Sequence, residues 1–424
     1  MSGLKIFKFG GASVKNAEAV KNVGAVLGRF KGDKLLVVVS AMGKTTNSLE
    51  NLVAAYFKGD LQEQRQYFSE IKSYHDEIVS GLLKGKDDHA FDDIENTFIE
   101  LECLLGGKPE GDFDFVYDQI VSFGEIISTK IVSAYLNESG FRNRWMDARN
   151  FILTDSTYRE GRIDWNSTTS VIKSKLGPLV NKQVIITQGF IGRTPNNNTT
   201  TLGREGSDYS AAIFAYGLDA QSVTIWKDVA GVLNADPKRF KDTVKLDKLT
   251  YNEAIELAYY GATVIHPKTI QPLKSKNIPL YVKSFLNPDA DGTLVSNTEH
   301  QLVSIPIVIV KANQALISIS SRDFSFIIED NLSNIFSSLA ECHIRVNLMQ
   351  NSAISFSLCM DADQNKMNRL VELLKVEYNV KLNVGCELFT IRNFNDKVLL
   401  DYVAGKEVLL EQKTRSSVQL VISA

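Results

Sequence analysis

A doubly wound α/β unit on a mainly parallel sheet, followed by a smaller ferredoxin-like region, is the architecture this sequence predicts. Three observations carry it. First, a strand, a glycine-bearing loop and a helix recur: residues 5–9, 10–13 and 16–30; then 35–40, 41–47 and a helix from near Ser48; then 184–192, the polar stretch 199–209 and helical residues from Ser210. Second, runs such as Leu35-Leu36-Val37-Val38-Val39 are apolar throughout, as in parallel strands covered on both faces. Third, the pattern breaks at 287–292, and a βαββαβ spacing follows over 305–384.

The bulk numbers narrow the class. With 424 residues the chain exceeds one core, so two parts are expected: a catalytic unit over 1–296, with a helical excursion at about 48–110, and a second region over 302–424. In that second region a first unit spans about 314–386 and a shortened copy follows. A hydrophobic content of 44% and a charged content of 23% are ordinary for a globular chain. The net charge of −3, with both signs interspersed, leaves no basic footprint for nucleic acid. No apolar run reaches bilayer length, so no membrane partner is expected. Cys103, Cys342, Cys359 and Cys386 form no CxxC pair and read as reduced thiols. The first strand follows Met1 closely and leaves no room for a signal peptide; a cytoplasmic protein is expected.

The loops carry the chemistry. Gly10 and Gly11 form a tight turn between a strand and a helix start, with Lys8 at the strand end. Open amides beside a point charge suit phosphate oxygens, although the GxxxxGK[ST] spacing of a P-loop is missing. Thr45, Thr46 and Asn47 are either substrate contacts or a capping cluster. In 199–212, Arg204 offers a fork for a carboxylate, while Ser207 and Asp208 are placed to cap a helix. Glu125, at the start of a helix through Asn137, either caps it or meets an ammonium group.

The remaining elements follow from pattern. The excursion is helical and broken at Gly81 and Gly85. Short strands are expected at 142–146 and 151–153, then a strand at 222–226 and a loop over 227–238 with two lysines and two carboxylates. A helix over 249–260 closes at Gly261, and a strand covers 279–283. His266, beside Pro267, reads as packed rather than catalytic. In the tail, strands at 305–311, 316–319, 346–350, 354–360 and 381–384 alternate with helices at 331–342 and 365–378. A strand, a short helix and strands at 407–412 and 418–422 complete it.

Four segments together resemble the aspartate kinases. Lys8-Phe9-Gly10-Gly11-Ala12-Ser13-Val14 resembles their KFGG[TA]SV opening, and 39–47 their second glycine/threonine loop. Gly189-Phe190 with 200–209 is similar to their GF…TTLGRGGSDY segment, and 226–237 to their W-T-D-V-x-G-V…DP loop. The ordered set spans nearly the whole chain, including an ACT-type regulatory tail. It implies an amino-acid-kinase (carbamate-kinase-like) fold that moves the γ-phosphoryl of Mg-ATP to the β-carboxylate of L-aspartate, giving 4-phospho-L-aspartate. That carboxylate is already anionic at neutral pH, so positioning and charge neutralisation suffice without a general base.

The resemblance also implies roles. Lys8 and Asp208 would be catalytic, with Asp208 orienting Lys8. Aspartate would meet Ser40, Thr46, Glu125, Phe190, Arg204, Glu205, Gly206 and Ser207. ATP would meet Lys8, Gly10, Gly11, Ser13, Lys227, Asp228, Leu233, Asp236, Lys238, Thr263 and Val264, with Mg2+ as its ion. An effector, lysine first, would meet Val346, Asn347, Leu348 and Ser352, and pairing of ACT strands would make a homodimer or larger. No homoserine dehydrogenase fusion is expected. Three departures stand out: Glu205 where the segment usually has glycine, Thr263 with Lys227 where lysine and threonine are usual, and Asn347 with Ala353 where carboxylates would attract a cationic effector. Lys227 is expected to replace the charge missing at Thr263. The alternatives are an inactive amino-acid sensor, or a related kinase acting on glutamate or acetylglutamate.

Overall fold

The chain opens on β1 (Lys5–Phe9), a single 3-10 turn (Gly11–Val14), α1 (Ala17–Gly28) and β2 (Leu35–Val39). Five helices follow: α2 (Thr45–Lys58), α3 (Leu61–Leu82), α4 (Asp88–Leu105), α5 (Phe113–Val121) and α6 (Phe123–Glu138). Next come β3 (Asn143–Met146), then α7 (Trp165–Val171) and α8 (Gly177–Val180) joined through a π turn. The strands β4 (Val184–Gln188), β5 (Ile191–Arg193) and β6 (Thr199–Thr201) lead to α9 (Gly206–Leu218) and β7 (Ser222–Lys227). β8 (Lys248–Thr250), α10 (Tyr251–Tyr260), α11 (Pro267–Ser275), β9 (Leu280–Ser284) and β10 (Thr293–Ser296) complete this part. This computed structural model describes residues 3–85, 88–261, 265–297, 305–323, 325–394 and 405–423. They divide into two compact units, one from Met1–Val232, Lys245–Ile255 and Thr263–His300, the other from Leu233–Val244, Glu256–Ala262 and Gln301–Ala424.

In the first unit eight strands form one sheet in the order β3-β4-β2-β1-β7-β9-β10-β8, parallel except where β9 meets β10. Every residue of β2 is fully buried, which requires cover on both faces. Phe7, Phe9, Val37 and Val39 point to one side, into a core shared with α1 to α6. On the other side α9, buried from Ala211 to Ala215, packs against β1 and β7. The chain leaves β1 toward β2 on one flank and returns through α9 to β7 on the other. The carboxyl ends of β1 and β7 therefore flank a switch point, where open α/β sheets bind ligands. Register puts Phe9 opposite Trp226, so Lys8 and Lys227 emerge at neighbouring strand ends.

Several elements differ from the pattern-based expectation. α2 begins at Thr45 rather than Ser48, so Thr45, Thr46 and Asn47 form its first turn. The excursion breaks at Gly59, in the left-handed conformation, whereas α3 runs through Gly81. α5 and α7 had no separate signal, because their polar and aromatic residues blur the helical period. Residues 151–153 form no strand; Leu153 makes a lone bridge to Arg193. Thr199–Thr201 is not loop but the second strand of a hairpin with β5, and α9 starts at Gly206, not Ser210.

The second unit is an antiparallel sheet with β11 (Ile307–Ser321), α12 (Glu329–Glu341), β12 (Val346–Asn351), β13 (Ser355–Asp361), α13 (Gln364–Leu374), β14 (Tyr378–Arg392), β15 (Val408–Lys413) and β16 (Ser417–Ser423). Its strand order is β12-β13-β11-β14-β16-β15. The strands expected at 305–311 and 316–319 are one bulged strand, and 381–384 is part of the long β14. Each long strand serves two half-sheets. Gln314–Ser320 pairs with β13, and Gln314–Ser321 with the start of β14, giving the ferredoxin-like order. Ile307–Lys311 pairs with the end of β14, which pairs with β16. The tail's second copy is thus completed by a strand that precedes the first. The short helix expected after Glu387 lies outside the described residues.

Within this unit Lys311 Nζ donates to Asn347 Oδ1 at 2.9 Å. Asn347 Nδ2 donates to Gln314 Oε1 at 2.8 Å and Asp361 Oδ1 at 3.0 Å, and Gln314 Nε2 donates to Asp361 Oδ1 at 2.9 Å. Val346 and Leu348 belong to the same edge strand, and the Ser352 hydroxyl bonds Ser355 in the following turn.

Candidate active site

Beyond the carboxyl ends of β1 and β7 lies a cleft of about 810 Å3. The first turn of α9 points Asp208 into it. Lys8 Nζ lies 2.7 Å from Asp208 Oδ1, and Lys227 Nζ lies 3.7 Å from Oδ2. Burial works against the Asp208 charge, yet the two ammonium groups hold its carboxyl below the usual range. One anion thus fixes two cations drawn from neighbouring strand ends. Expected caps at Ser207 and Asp208 are not found: both stand inside the first turn, and the residue ahead of it, Glu205, has φ +54 and caps nothing with its side chain.

The β1 turn seats beside this array. Gly43 N–H donates to the Gly11 carbonyl at 3.1 Å. A Cβ at Gly11 would fall 2.8 Å from the Ala41 carbonyl oxygen, so the turn tolerates no side chain there. Ser13 is buried, and its Oγ has no hydrogen-bond partner. At the cleft wall Phe190, at φ +69, is held by an N–H bond to Ser210 Oγ at 2.9 Å. A Cβ on Gly206 would come within 2.7 Å of the Phe190 ring.

Glu125 does not cap α6. Its Oε1 accepts the Ala41 N–H at 3.2 Å, and its buried Oε2 has no partner. Burial pushes its carboxyl up to about 8, against the Ala41 hydrogen bond and the nearby Lys8 charge. Glu205 also keeps a buried, unpartnered Oε2. Burial raises its carboxyl and Asp208 adds to the rise, while Lys227, Lys8 and Arg204 oppose it. Four cations (Lys8, Arg159, Arg204, Lys227) and six carboxylates (Glu50, Asp114, Glu125, Glu160, Glu205, Asp208) line the cleft. Such a cleft suits ligands that bring positive charge along with their anionic groups.

The cleft brings together Lys8, Ser40, Thr46, Glu125, Phe190, Arg204, Glu205, Gly206, Ser207, Asp208 and Lys227, with Gly10, Gly11 and Ser13 in the adjoining turn. Asp228 is exposed beyond β7. Leu233, Asp236 and Lys238 belong to the other compact unit, where Asp236 Oδ1 accepts the Lys238 N–H at 2.9 Å. Thr263 and Val264 lie outside the described residues. His266 caps α11, accepting the Lys268 N–H at 3.2 Å, as its packed reading expects.

Sequence reasoning missed the supports. Buried Asp118 on α5 accepts from Thr201 N–H at 2.8 Å, Thr201 Oγ1 at 2.7 Å and Arg159 N–H at 2.9 Å. Burial raises Asp118 to about 6, opposed by those hydrogen bonds. Arg159, also at positive φ, stacks over Tyr117 at 4.4 Å and faces Asp114 at 3.3 Å. Tyr117 donates to Glu50 at 2.7 Å. Only the buried acidic position of Asp118 on an amphipathic helix could have signalled this in the sequence.

Comparison with known proteins fits this arrangement. Residues 3–284 match the model of the amino acid kinase family. The chain is 31% identical over 396 residues to bifunctional aspartokinase/homoserine dehydrogenase 2, chloroplastic, of Arabidopsis thaliana, covering 90% of this chain but only 42% of that protein. It is 31% identical to lysine-sensitive aspartokinase 3 of Escherichia coli (strain K12), over 85% of this chain and 79% of that one. The crystal structure of E. coli aspartokinase III in complex with aspartate and ADP superposes with a TM-score of 0.82 at 26% identity, covering 99% of this chain and 96% of that one. With its glycine turn, lysine–aspartate array and carboxylate-lined cleft, the chain belongs to the amino acid kinase family, among the aspartokinases.

Proposed function

We propose that this chain transfers the γ-phosphoryl of Mg-ATP to the β-carboxylate of L-aspartate, giving 4-phospho-L-aspartate. One observation carries the reading: a single cleft pairs a Lys8–Asp208–Lys227 array, suited to phosphate, with the Arg204 guanidinium and the unfilled Glu125 carboxylate. These last two match the α-carboxylate and the ammonium of an amino acid.

In this reading Lys8 and the amides of Gly10 and Gly11 hold phosphate oxygens, and Ser13 adds its open hydroxyl. Arg204 clamps the α-carboxylate and Glu125 takes the ammonium. Ser40, Thr46 and Ser207 donate hydrogen bonds, while Phe190 and Gly206 shape the wall. The nucleophile is already an anion, so the residues position it and neutralise charge. Among the described residues no group of three or more His, Cys, Asp or Glu is placed to cage a metal. Mg2+ fits here as an ion carried on the nucleotide phosphates, where it neutralises charge in a cleft with excess carboxylates.

We further propose feedback by an amino acid, lysine first, through the Val346–Ser352 region of the tail, and assembly into a homodimer or larger through tail strands. Among the described residues no helix is long and apolar enough to cross a membrane. The four free thiols favour a reducing compartment such as the cytosol.

The test is ADP release from Mg-ATP with L-aspartate, L-glutamate, N-acetylglutamate or no acceptor. Aspartate-dependent release supports the proposal. Equal release without acceptor, or a preference for another acceptor, would overturn it. Repeating the assay with lysine, threonine and methionine identifies the effector.

A further inference from the structure

Asp118, on α5, is fully buried and has no part in the proposed chemistry, yet both of its oxygens are taken up by segments that line the cleft. Its Oδ2 accepts the Arg159 N–H at 2.9 Å and the Thr201 N–H at 2.8 Å, and its Oδ1 accepts the Thr201 hydroxyl at 2.7 Å. The Thr201 carbonyl in turn accepts the Gly161 N–H at 2.8 Å. One carboxylate thus ties residues 159–161 to the end of β6 in a closed ring of hydrogen bonds.

Arg204 follows just beyond this ring. Gly203, at φ +75, sits so close to it that a Cβ there would fall 3.3 Å from the Arg159 carbonyl oxygen and 3.2 Å from Glu160 Cγ. On the other side the Phe190 carbonyl accepts the Leu202 N–H at 2.8 Å. Among the described residues the Arg204 side chain makes no hydrogen bond or ion pair, so the backbone decides where its guanidinium can reach. A fork held in place before its ligand arrives avoids the ordering cost that weakens binding.

We propose that Asp118 is a positioning residue for the Arg204 fork. Through Thr201 and residues 159–161 it fixes the stretch that delivers the guanidinium to the α-carboxylate of the amino-acid substrate. Without it the buried Thr201 N–H and hydroxyl lose their acceptor, and the stretch must shift to find another. This rests on Arg204 taking the α-carboxylate, and adds what holds it there.

Steady-state kinetics of Asp118→Ala, Asp118→Asn, Thr201→Val and the double variant Asp118→Ala with Arg204→Gln test it. Asp118→Ala should raise KM for aspartate roughly 10-fold and leave KM for ATP within about 2-fold, because only the amino-acid side loses its support. Asp118→Asn should recover most of that loss: its amide oxygen can accept both N–H groups while its amide nitrogen donates to the Thr201 oxygen. Thr201→Val keeps the shape but removes one bond of the three, and should raise KM for aspartate about 3-fold; it decides the question if Asp118→Ala does not fold. Added to Arg204→Gln, Asp118→Ala should cost no more than about 2-fold further, since it acts through the fork. Equal rises in both KM values, multiplying effects, no rescue by Asp118→Asn, or an unchanged KM for aspartate in Asp118→Ala or Thr201→Val would overturn the proposal. Crystal structures give a readout that needs no turnover. Arg204 should stand about 1 Å or more from its wild-type place in Asp118→Ala, a displacement that matters at an active site, and an unmoved Arg204 would overturn the proposal. If the wild type fails to phosphorylate aspartate, the functional reading fails, and the place of Arg204 still decides the role of Asp118.

Discussion

Two clusters of polar side chains are handled in opposite ways. Around Asn347, every group named above has a protein partner: Lys311, Gln314 and Asp361 close a network on one sheet. In the kinase unit, Glu125 Oε2 and Glu205 Oε2 in the cleft, and Ser13 Oγ in the turn beside it, are buried and unanswered. An unsatisfied buried polar group costs on the order of 1–3 kcal/mol, and a ligand seated in the cleft would complete the two carboxylate oxygens there. A closed network holds a sheet; an open one is poised for a substrate. The contrast also bears on regulation, because Asn347, a candidate effector contact, already uses its side-chain amide internally.

The largest expected break is at the open cluster. Lys8→Met removes a fixed cation from the phosphate side and leaves Asp208 buried beside Lys227 alone. A fall in kcat of roughly 10²–10³-fold in steady-state assays is expected, with a smaller change in KM. A fall below about 3-fold would mean that Lys8 only supports the fold.

Arg204→Gln comes next. Losing a guanidinium fork on a carboxylate should raise KM for aspartate by about 10²-fold and leave KM for ATP nearly unchanged. Equal effects on both substrates would move Arg204 to the nucleotide side.

Glu125 sharpens the comparison through pH. Its carboxyl is raised from the ordinary 4.5 to about 8 by burial. The folded protein therefore binds an extra proton between these values, and the stability this contributes is lost as pH rises through about 8. Aspartate's ammonium requires the ionised form, so binding expels that proton. KM for aspartate should fall up to about 10-fold per pH unit as pH rises toward 8 and then level off. Glu125→Gln should flatten the profile, and calorimetry in buffers of different ionisation enthalpy should detect the released proton.

The smallest effect belongs to the closed network. Gln314→Ala takes one partner each from Asn347 and Asp361, which still bond each other, and chemical denaturation should register a loss of about 0.5–1.5 kcal/mol in the second unit. No loss would mean that water replaces the amide freely.

How much could be read beforehand follows from distance along the chain. Lys8 with its glycine turn, and Arg204 through Asp208, are legible because each motif is contiguous and its backbone geometry is local. Arg159 and Asp118 are not: about 40 residues separate them, and only tertiary folding brings the Arg159 N–H to the Asp118 carboxylate. Lys227 is legible only as a charge expected to replace the one missing at Thr263; its contact to Asp208 has no local signal, since strand order and not spacing sets β7 beside β1. In the tail, Gly385 and the bulge near Asn313 read as strand ends, whereas both strands continue through them and serve two half-sheets. The pairing of Ile307–Lys311 with the end of β14 is too remote for any local pattern to announce.

The central claim is that a carboxylate oxygen of aspartate attacks phosphorus directly, with this cleft supplying position and charge. The most direct test uses L-aspartate labelled with oxygen-18 in its β-carboxylate, with Mg-ATP and hydroxylamine present to trap the acyl phosphate. Hydroxylamine displaces phosphate at carbon, so the account predicts aspartyl hydroxamate together with inorganic phosphate carrying one labelled oxygen. Phosphate free of label, released without hydroxamate, would mean that water is the acceptor and would contradict it.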